Sequence, residues 1–344
     1  MSEKTNKRRQ IVMTVILTAA VVVLLPACLI AGSVSIPLRE VAAIISGSTD
    51  VNEIHRIIVV ETRLPMALTA ILAGASLSIA GLMLQTTFNN HLADPSILGI
   101  STGSSLGVAI VMLLFGGVIG TGIGSYLSVL MGAIVGAAVV MAVLLAFSTV
   151  VKNSLLLLII GIMISYLASS AISLLNFFST QEGVHSFVIW GLGNFSGITL
   201  DRLPLFALLT LLPVFGSFLL CKPLNALLLG TRYAENLGVN LRATRNWLIT
   251  ISSLLTAVVT AFCGPIGFIG LMVPHMARLM YRTSNHSVLL PATALSGSVI
   301  ALLCCWLSSL SPAGTIPINA ITPIIAIPVI VYIIVNRKNI FYFN

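Results

Sequence analysis

The chain has 344 residues, of which 58% are hydrophobic and only 8% are charged. A soluble domain of average composition carries about 25% charged residues, so this composition excludes a water-exposed surface over most of the chain. The formal net charge of +8 does not indicate nucleic-acid binding, because the basic residues lie in short segments between apolar runs. We therefore predict an all-α integral membrane protein in which residues 1–344 form a single transmembrane domain.

The apolar runs predict about ten transmembrane helices, because a helix needs about 20 apolar residues to cross a bilayer. Glycine- and proline-rich breaks at 116–124, 264–265 and 311–314 divide the longer runs into pairs. The helix after the break at 264–265 is short and has the least certain bounds. The predicted spans are, in chain order, 11–35, 66–86, two within 95–151, 154–178, 203–220, two within 246–277 and two within 283–336.

The basic residues predict the orientation of these helices. With the N-terminus inside, the outer segments hold only Arg39, Arg56, Arg63 and Arg202. Cytoplasmic loops of membrane proteins carry an excess of Lys and Arg, so both termini are predicted to be cytoplasmic. The inner segments hold Lys4, Lys7, Arg8, Arg9, Lys152, Lys222, Arg232, Arg242, Arg245, Arg278, Arg282, Arg337 and Lys338.

The predicted spans lack chemically active groups. None carries Lys, Arg, Asp or Glu near its middle, whereas ion-coupled carriers retain such costly charges for ion binding or proton relay. No GxxxxGK[ST] loop is present to hold ATP phosphates. The five cysteines and five histidines are scattered without metal-ligand spacing, so no metal site is predicted. These absences favour a passive pathway that is powered from elsewhere.

Two other classes of function remain as alternatives. A secondary carrier that works alone would need a buried ionisable residue within a span. A membrane enzyme would need clustered acids, histidines or cysteines at a membrane face. The sequence shows neither feature at a plausible spacing.

Five stretches, in matching order over essentially the whole chain, carry a resemblance to a known family. They are Arg-Leu-Pro at 63–65, Asn-His-Leu-Ala-Asp-Pro at 90–95 with Leu-Gly at 98–99, Trp-Gly-Leu-Gly-Asn-Phe-Ser-Gly at 190–197, Leu-Gly-Val at 237–239, and Gly-Pro-Ile-Gly-Phe-Ile-Gly-Leu-Met-Val-Pro-His at 264–275. The chain resembles the FecCD-type permeases, which serve ABC importers of iron–siderophore chelates, haem and cobalamin.

This resemblance implies the type II ABC importer architecture in a bacterial inner membrane. The implied assembly is a homodimer of ten-helix subunits, with a pathway along the dimer interface and no cofactor. Two ATP-hydrolysing subunits would dock on the cytoplasmic face and a substrate-binding protein on the outer face. A largely apolar pathway of small residues suits siderophore, haem and cobalamin alike, so the substrate stays open.

Residues 221–245 resemble the coupling segment of the family, which sits in a groove of the ATPase. An ordinary basic loop is the alternative. Thr231 stands where the family usually has Glu, which leaves one polar contact in doubt. The residues that the resemblance implicates in coupling are Leu224, Asn225, Gly230, Glu235, Leu237, Gly238 and Val239.

Two inner loops resemble the cytoplasmic gate of the family. Asn90 and Leu92 follow the second predicted helix, and Asn153 and Ser154 lie between the fourth and fifth. In a homodimer, short side chains from the two copies could meet on the axis and close the pathway. Helix capping by Asn and Ser is the alternative.

Arg63 matches an arginine that family members use to hold acidic residues of the binding protein. Met66 replaces a second arginine of the family pattern, and Thr315 stands where the family usually has Glu. Docking is therefore expected to use Arg63 within a different set of charges. The alternative is an interfacial anchor at the start of the second helix.

Overall fold

A computed structural model describes residues 3–48, 51–115, 123–151, 153–311 and 314–335. Within these ranges the regular structure is entirely helical. Two π-helical segments, Ile58–Arg63 and Ile110–Leu114, interrupt the α-helices. The α-helices are α1 (Glu3–Ile30), α2 (Leu38–Ile45), α3 (Glu53–Ile57), α4 (Leu64–Thr87), α5 (Ile100–Ala109), α6 (Ile123–Val150), α7 (Ser154–Phe178), α8 (Gln181–Gly191), α9 (Leu203–Leu219), α10 (Cys221–Leu228), α11 (Thr231–Asn236), α12 (Leu241–Cys263), α13 (Ile269–Tyr281), α14 (His286–Ser309) and α15 (Ile318–Val335).

Six helical stretches of the described chain are long and apolar enough to cross a membrane. A seventh span is possible if α9 and α10, which meet at a bend of 53°, are taken as one. The stretches Ile100–Leu114 and Ile318–Tyr332 are apolar but shorter. The six are Asn6–Ile30, Glu53–Thr87, Tyr126–Val150, Leu155–Phe178, Leu241–Cys263 and His286–Ser309.

The predicted break at Gly264-Pro265 is confirmed, since α12 ends at Cys263 and α13 begins at Ile269. Residues 116–122 of the first predicted break and residues 312–313 of the last lie outside the described residues. So do three of the basic residues used to predict orientation, Lys152, Arg337 and Lys338. The short helices α2, α3 and α8 were not predicted, because they are far too short to register as spans.

Helix α4 forms the centre of the bundle. In its most apolar window 78% of the residues are buried, against 11% in α1, which therefore lies at the edge of the bundle. Small residues let the backbones of neighbouring helices approach closely. A β-carbon on Gly74 would lie 2.3 Å from the carbonyl oxygen of Gly297 in α14, and one on Gly81 would lie 1.9 Å from that of Gly270 in α13. Only glycine therefore fits at these two contacts of α4.

Two half-buried arginines identify one end of the bundle, here called the basic end. Arg9 donates to the carbonyl oxygens of Met280 (2.8 Å) and Leu279 (3.2 Å) at the end of α13. Arg278 donates to Oε1 of Gln85 near the end of α4, at 2.6 Å. The starts of α1, α12 and α14 and the ends of α4, α6 and α13 lie at this end. It coincides with the side predicted to face the cytoplasm.

Candidate functional site

Asn319, at the start of α15, joins three chain segments. Its Nδ2 donates to the carbonyl oxygens of Pro265 (2.6 Å) and Gly191 (3.2 Å), and its Oδ1 accepts from the N–H of Gly267 (3.1 Å). Two further backbone bonds join Ile318 and Asn319 to residues 192–193. Because backbone within an apolar bundle needs internal partners, this clasp allows residues 264–268 to remain non-helical there. No motif in the sequence predicted a role for Asn319.

Phe268, the last residue before α13, has a left-handed backbone conformation, with φ of +70°. A non-glycine residue rarely adopts this conformation, and the clasp is what holds the neighbouring Gly267 in place. The Phe268 side chain is 37% exposed and lines an open cavity of about 460 Å³. The structure therefore fixes a large aromatic side chain at the wall of this cavity.

The cavity lies between α5, α7, α8 and the clasp. Its wall combines hydroxyl and amide groups with apolar side chains, and none of its lining residues is charged. Such a wall offers hydrogen bonds and apolar contact to a solute without binding an ion strongly. The lining residues are Ser96, Ser101, Thr102, Ser105, Ser169, Ile172, Phe187, Pro265, Ile266, Gly267, Phe268 and Asn319.

The predicted coupling residues fall into two groups at the basic end. Leu224 is buried, and Asn225 bonds to the start of α14. The others lie on the surface, apart from the half-buried Val239. Positive φ angles at Gly230 (+97°) and Gly238 (+81°) turn the chain before and after α11.

Four large apolar side chains project from this segment beside Glu235, which is also exposed. The side chain of Leu237, for example, is 58% exposed. Exposed apolar side chains grouped on one short segment are typical of an interaction site. We call this set the coupling surface, and its members are Leu228, Leu229, Tyr233 and Leu237.

The predicted gate residues differ in what their side chains do. Oδ1 of Asn90 accepts from the N–H of Leu92, and Oδ1 of Asn153 accepts from the N–H of Leu155, both at 2.9 Å. Asn153 therefore caps α7, which is the capping alternative, whereas Asn90 closes a turn within its loop. Leu92 is 52% exposed and projects freely. Ser154 begins α7.

His275 and Asp94, for which no role was predicted, hold the loop that carries Leu92 in place. Nε2 of His275 donates to the carbonyl oxygen of His91 at 2.7 Å. Asp94 is buried and accepts from the N–H (3.1 Å) and the hydroxyl of Ser96. Burial raises the pKa of Asp94, and the bonds from Ser96 oppose part of that shift. These contacts fix the base of the loop and leave its tip exposed.

Arg63, the predicted docking residue, lies mostly inside the single chain. The side chain is only 8% exposed. Its Nη1 donates to the carbonyl oxygens of Leu29 and Ile30, both at 2.8 Å, and Nη2 donates to that of Val34. The last carbonyl groups of a helix have no intrahelical partner and favour a cation. Arg63 therefore caps α1, which accounts for its position without a partner protein.

We expect Arg63→Ala to lower the stability of the folded chain by about 1–3 kcal/mol, because it leaves buried carbonyl groups without a donor. Arg56→Ala is the control, since Arg56 is exposed and only pairs with Glu53 at 3.6 Å. Exposed pairs of this kind contribute about 0–1 kcal/mol. Thermal unfolding in detergent measures both variants. Unchanged stability of Arg63→Ala, together with weaker affinity for a binding protein, would support the docking role instead of the capping role.

The helical bundle, with six helices long and apolar enough to cross a membrane, is that of a membrane-embedded protein. Residues 16–336 match the FecCD transport family. The chain is 33% identical over 280 residues to the vitamin B12 import system permease protein BtuC of Salmonella paratyphi A, covering 80% of this chain and 83% of that protein. BtuC of Citrobacter koseri is 32% identical over 283 residues, covering 81% and 83%.

A solved structure gives the same result. A chain of a metal-chelate type ABC transporter in an inward-facing conformation is 31% identical and superposes with a TM-score of 0.81, covering 94% of this chain and 97% of that one. The chain belongs to the FecCD transport family. It is therefore a permease subunit of an ABC importer and a transport component rather than an enzyme.

Proposed function

We propose that this chain forms the pathway through which an ABC importer moves an iron chelate or cobalamin across a bacterial inner membrane. The observation that carries this proposal is the uncharged cavity beside the Asn319 clasp. A chelate or corrinoid is bulky and rich in amide, carbonyl or hydroxyl groups. It suits a wall of hydroxyl groups and apolar side chains better than a small ion does.

Ten spans with both termini in the cytoplasm account best for the helices. The six long stretches, the bent pair of α9 and α10, the two shorter apolar stretches and α13 supply ten crossings. A chain with an even number of crossings returns to the side where it began. The basic end then faces the cytoplasm, as the excess of Lys and Arg there favours.

A second copy of this chain completes the pathway. Residues of α7 and α15 help to line the cavity, and both helices expose large apolar side chains in the single chain, including Phe177, Phe178 and Ile324. A homodimer that pairs these faces would enclose the cavity between two subunits. Leu92 of each copy would close its inner end, rather than Asn90 and Asn153, whose side chains bond to local backbone.

The coupling surface is the proposed seat of the two ATP-binding subunits. Leu224 and Asn225 anchor α10 to the bundle, while Leu237 and its apolar neighbours face outward. The substrate-binding protein docks at the opposite end. With Arg63 buried, docking there uses exposed outer residues such as Arg39 and Arg56.

The substrate is tested through the binding protein. We expect the protein that co-purifies with this permease in detergent to carry a coloured ligand. A ferric chelate, a haem and a corrinoid have different visible absorption spectra, so the spectrum identifies the class directly. A colourless sugar, peptide or amino acid in the binding protein would contradict the proposal.

A further inference from the structure

A chain of hydrogen bonds leads from α10 to the end of α4 at the basic end. Oδ1 of Asn225 accepts from the backbone N–H of His286 (2.7 Å) and lies 3.0 Å from Nδ1 of the same residue. Nε2 of His286 lies 2.9 Å from Oγ1 of Thr86. His286 is 1% exposed. A buried imidazole therefore bridges the coupling segment and the last turn of the central helix.

The partners of Asn225 fix how this bridge is protonated. Its Nδ2 donates to Oδ1 of Asn285 at 2.9 Å, so its Oδ1 faces His286 as an acceptor. Nδ1 of His286 must then carry the proton, which leaves Nε2 of the neutral ring as an acceptor. The Thr86 hydroxyl lies within reach of both Nε2 and the carbonyl oxygen of Leu82 (3.0 Å). One hydroxyl proton thus has two competing acceptors.

The loop with Leu92 follows this bridge directly in the chain. The N–H of Asn89 donates to the carbonyl oxygen of Thr86 (3.2 Å), and the N–H of Asn90 donates to that of Gln85 (3.1 Å). The last turn of α4 and residues 89–92 are therefore one hydrogen-bonded unit. A displacement of Thr86 would move Leu92 with it.

We propose that His286 is a positioning residue that transmits movement of the coupling segment to the loop at Leu92. The link is short and partly buried, and the Thr86 hydroxyl completes it when it donates to Nε2 of His286, so it can carry a small displacement. This inference rests on the proposed function, in which ATP-binding subunits move α10 and Leu92 closes the pathway. It adds the residue through which the two are joined.

The test uses the complete transporter with Leu92→Cys as a reporter and Cys221→Ser to remove the half-buried native thiol. The rate at which a membrane-impermeant maleimide labels Cys at 92 is measured without nucleotide and with ATP plus vanadate. In this background we expect the two rates to differ at least about fivefold, as for a typical coupling between two sites. His286→Ala and Thr86→Val should each reduce the difference to within twofold.

Thr87→Val is the matched control. Both threonines donate to the carbonyl group four residues earlier, but only Thr86 also reaches His286. Thr87→Val should keep the nucleotide-dependent difference. His286→Gln, which can present an amide near the position of Nε2, should recover part of it. The double variant His286→Ala/Thr86→Val should be no worse than either single one, since both remove the same link.

The outcomes separate this inference from the proposed function. Thr86→Val and Thr87→Val should bind as much ATP-binding subunit as the background. Each loses one hydroxyl that donates to the carbonyl group four residues earlier, so their thermal stabilities should be equal, and a purely structural role would not then predict different responses to nucleotide. If Thr86→Val responds to nucleotide as Thr87→Val does, the link is wrong and the transporter assignment stands. If the background itself shows no response, the proposed gate and the link both fail. If His286→Ala does not assemble, the comparison of Thr86→Val with Thr87→Val tests the link by itself.

Discussion

Gly81→Ala is expected to remove most of the folded protein. A β-carbon at this position would lie 1.9 Å from the carbonyl oxygen and 2.5 Å from the carbonyl carbon of Gly270, and both are backbone atoms. Helix α13 could retreat only by pulling on the non-helical segment that Asn319 holds. Overpacking of a core typically costs about 1–3 kcal/mol and occasionally more, and a clash between two backbones belongs at the upper end.

Gly216→Ala is the matched control for this prediction. Gly216 also lies within a helix, but a β-carbon there would meet only Cδ1 of Ile251, at 3.5 Å. Alanine is favoured over glycine in helices by about 1 kcal/mol, so this variant should be neutral or slightly more stable. Size-exclusion profiles and thermal unfolding in detergent compare the two. Equal midpoints would show that α4 and α13 are not packed as described.

Gly238→Arg is expected to abolish binding of the ATP-binding subunits and ATP-driven transport while leaving a folded permease. The site has room for a side chain, since a β-carbon there meets no atom within 4 Å. Its φ of +81° makes any L-residue unfavourable by about 1–2 kcal/mol. The larger effect comes from a long cation placed beside Leu237 on the coupling surface.

Gly47→Arg separates these two effects. Gly47 has a φ of +80°, and a β-carbon on it also meets no atom within 4 Å, but it lies at the opposite end of the bundle. It therefore carries the same backbone strain and the same added charge. Co-purification of the ATP-binding subunits should fail with Gly238→Arg and succeed with Gly47→Arg. If co-purification fails with both variants, backbone strain explains the effect. If it succeeds with both, residues 230–239 do not contact the ATP-binding subunits.

The spans were the most predictable part of this protein. Long uncharged runs need lipid around them, and turn residues such as Gly264-Pro265 end a helix whatever packs beside it. The short helices α2 and α8 were missed because eight to eleven residues between spans leave no hydropathy signal of their own. The α-helical class followed from composition, whereas the packing of α4 against α13 depends on glycine pairs far apart in the chain.

The functional groups were less predictable, because their partners are distant in sequence. Nothing near Arg63 shows that the last carbonyl groups of α1, about 30 residues earlier, will surround its guanidinium. In the sequence His286 is one of five scattered histidines, and only the fold shows that it lies between Asn225 and Thr86. Asn319 did carry a signal, since a polar side chain at the start of an apolar run needs buried partners. That rule indicates a contact but not which segments it joins.

ATP-driven uptake into proteoliposomes tests the central claim most directly. Vesicles would contain this permease with its ATP-binding subunits, and the binding protein with its coloured ligand would be added outside. The permease alone should hydrolyse no ATP. Uptake should require ATP and the ATP-binding subunits, and it should continue after ionophores collapse every ion gradient. Uptake by the permease alone, driven by an ion gradient and abolished by an ionophore, would contradict this account.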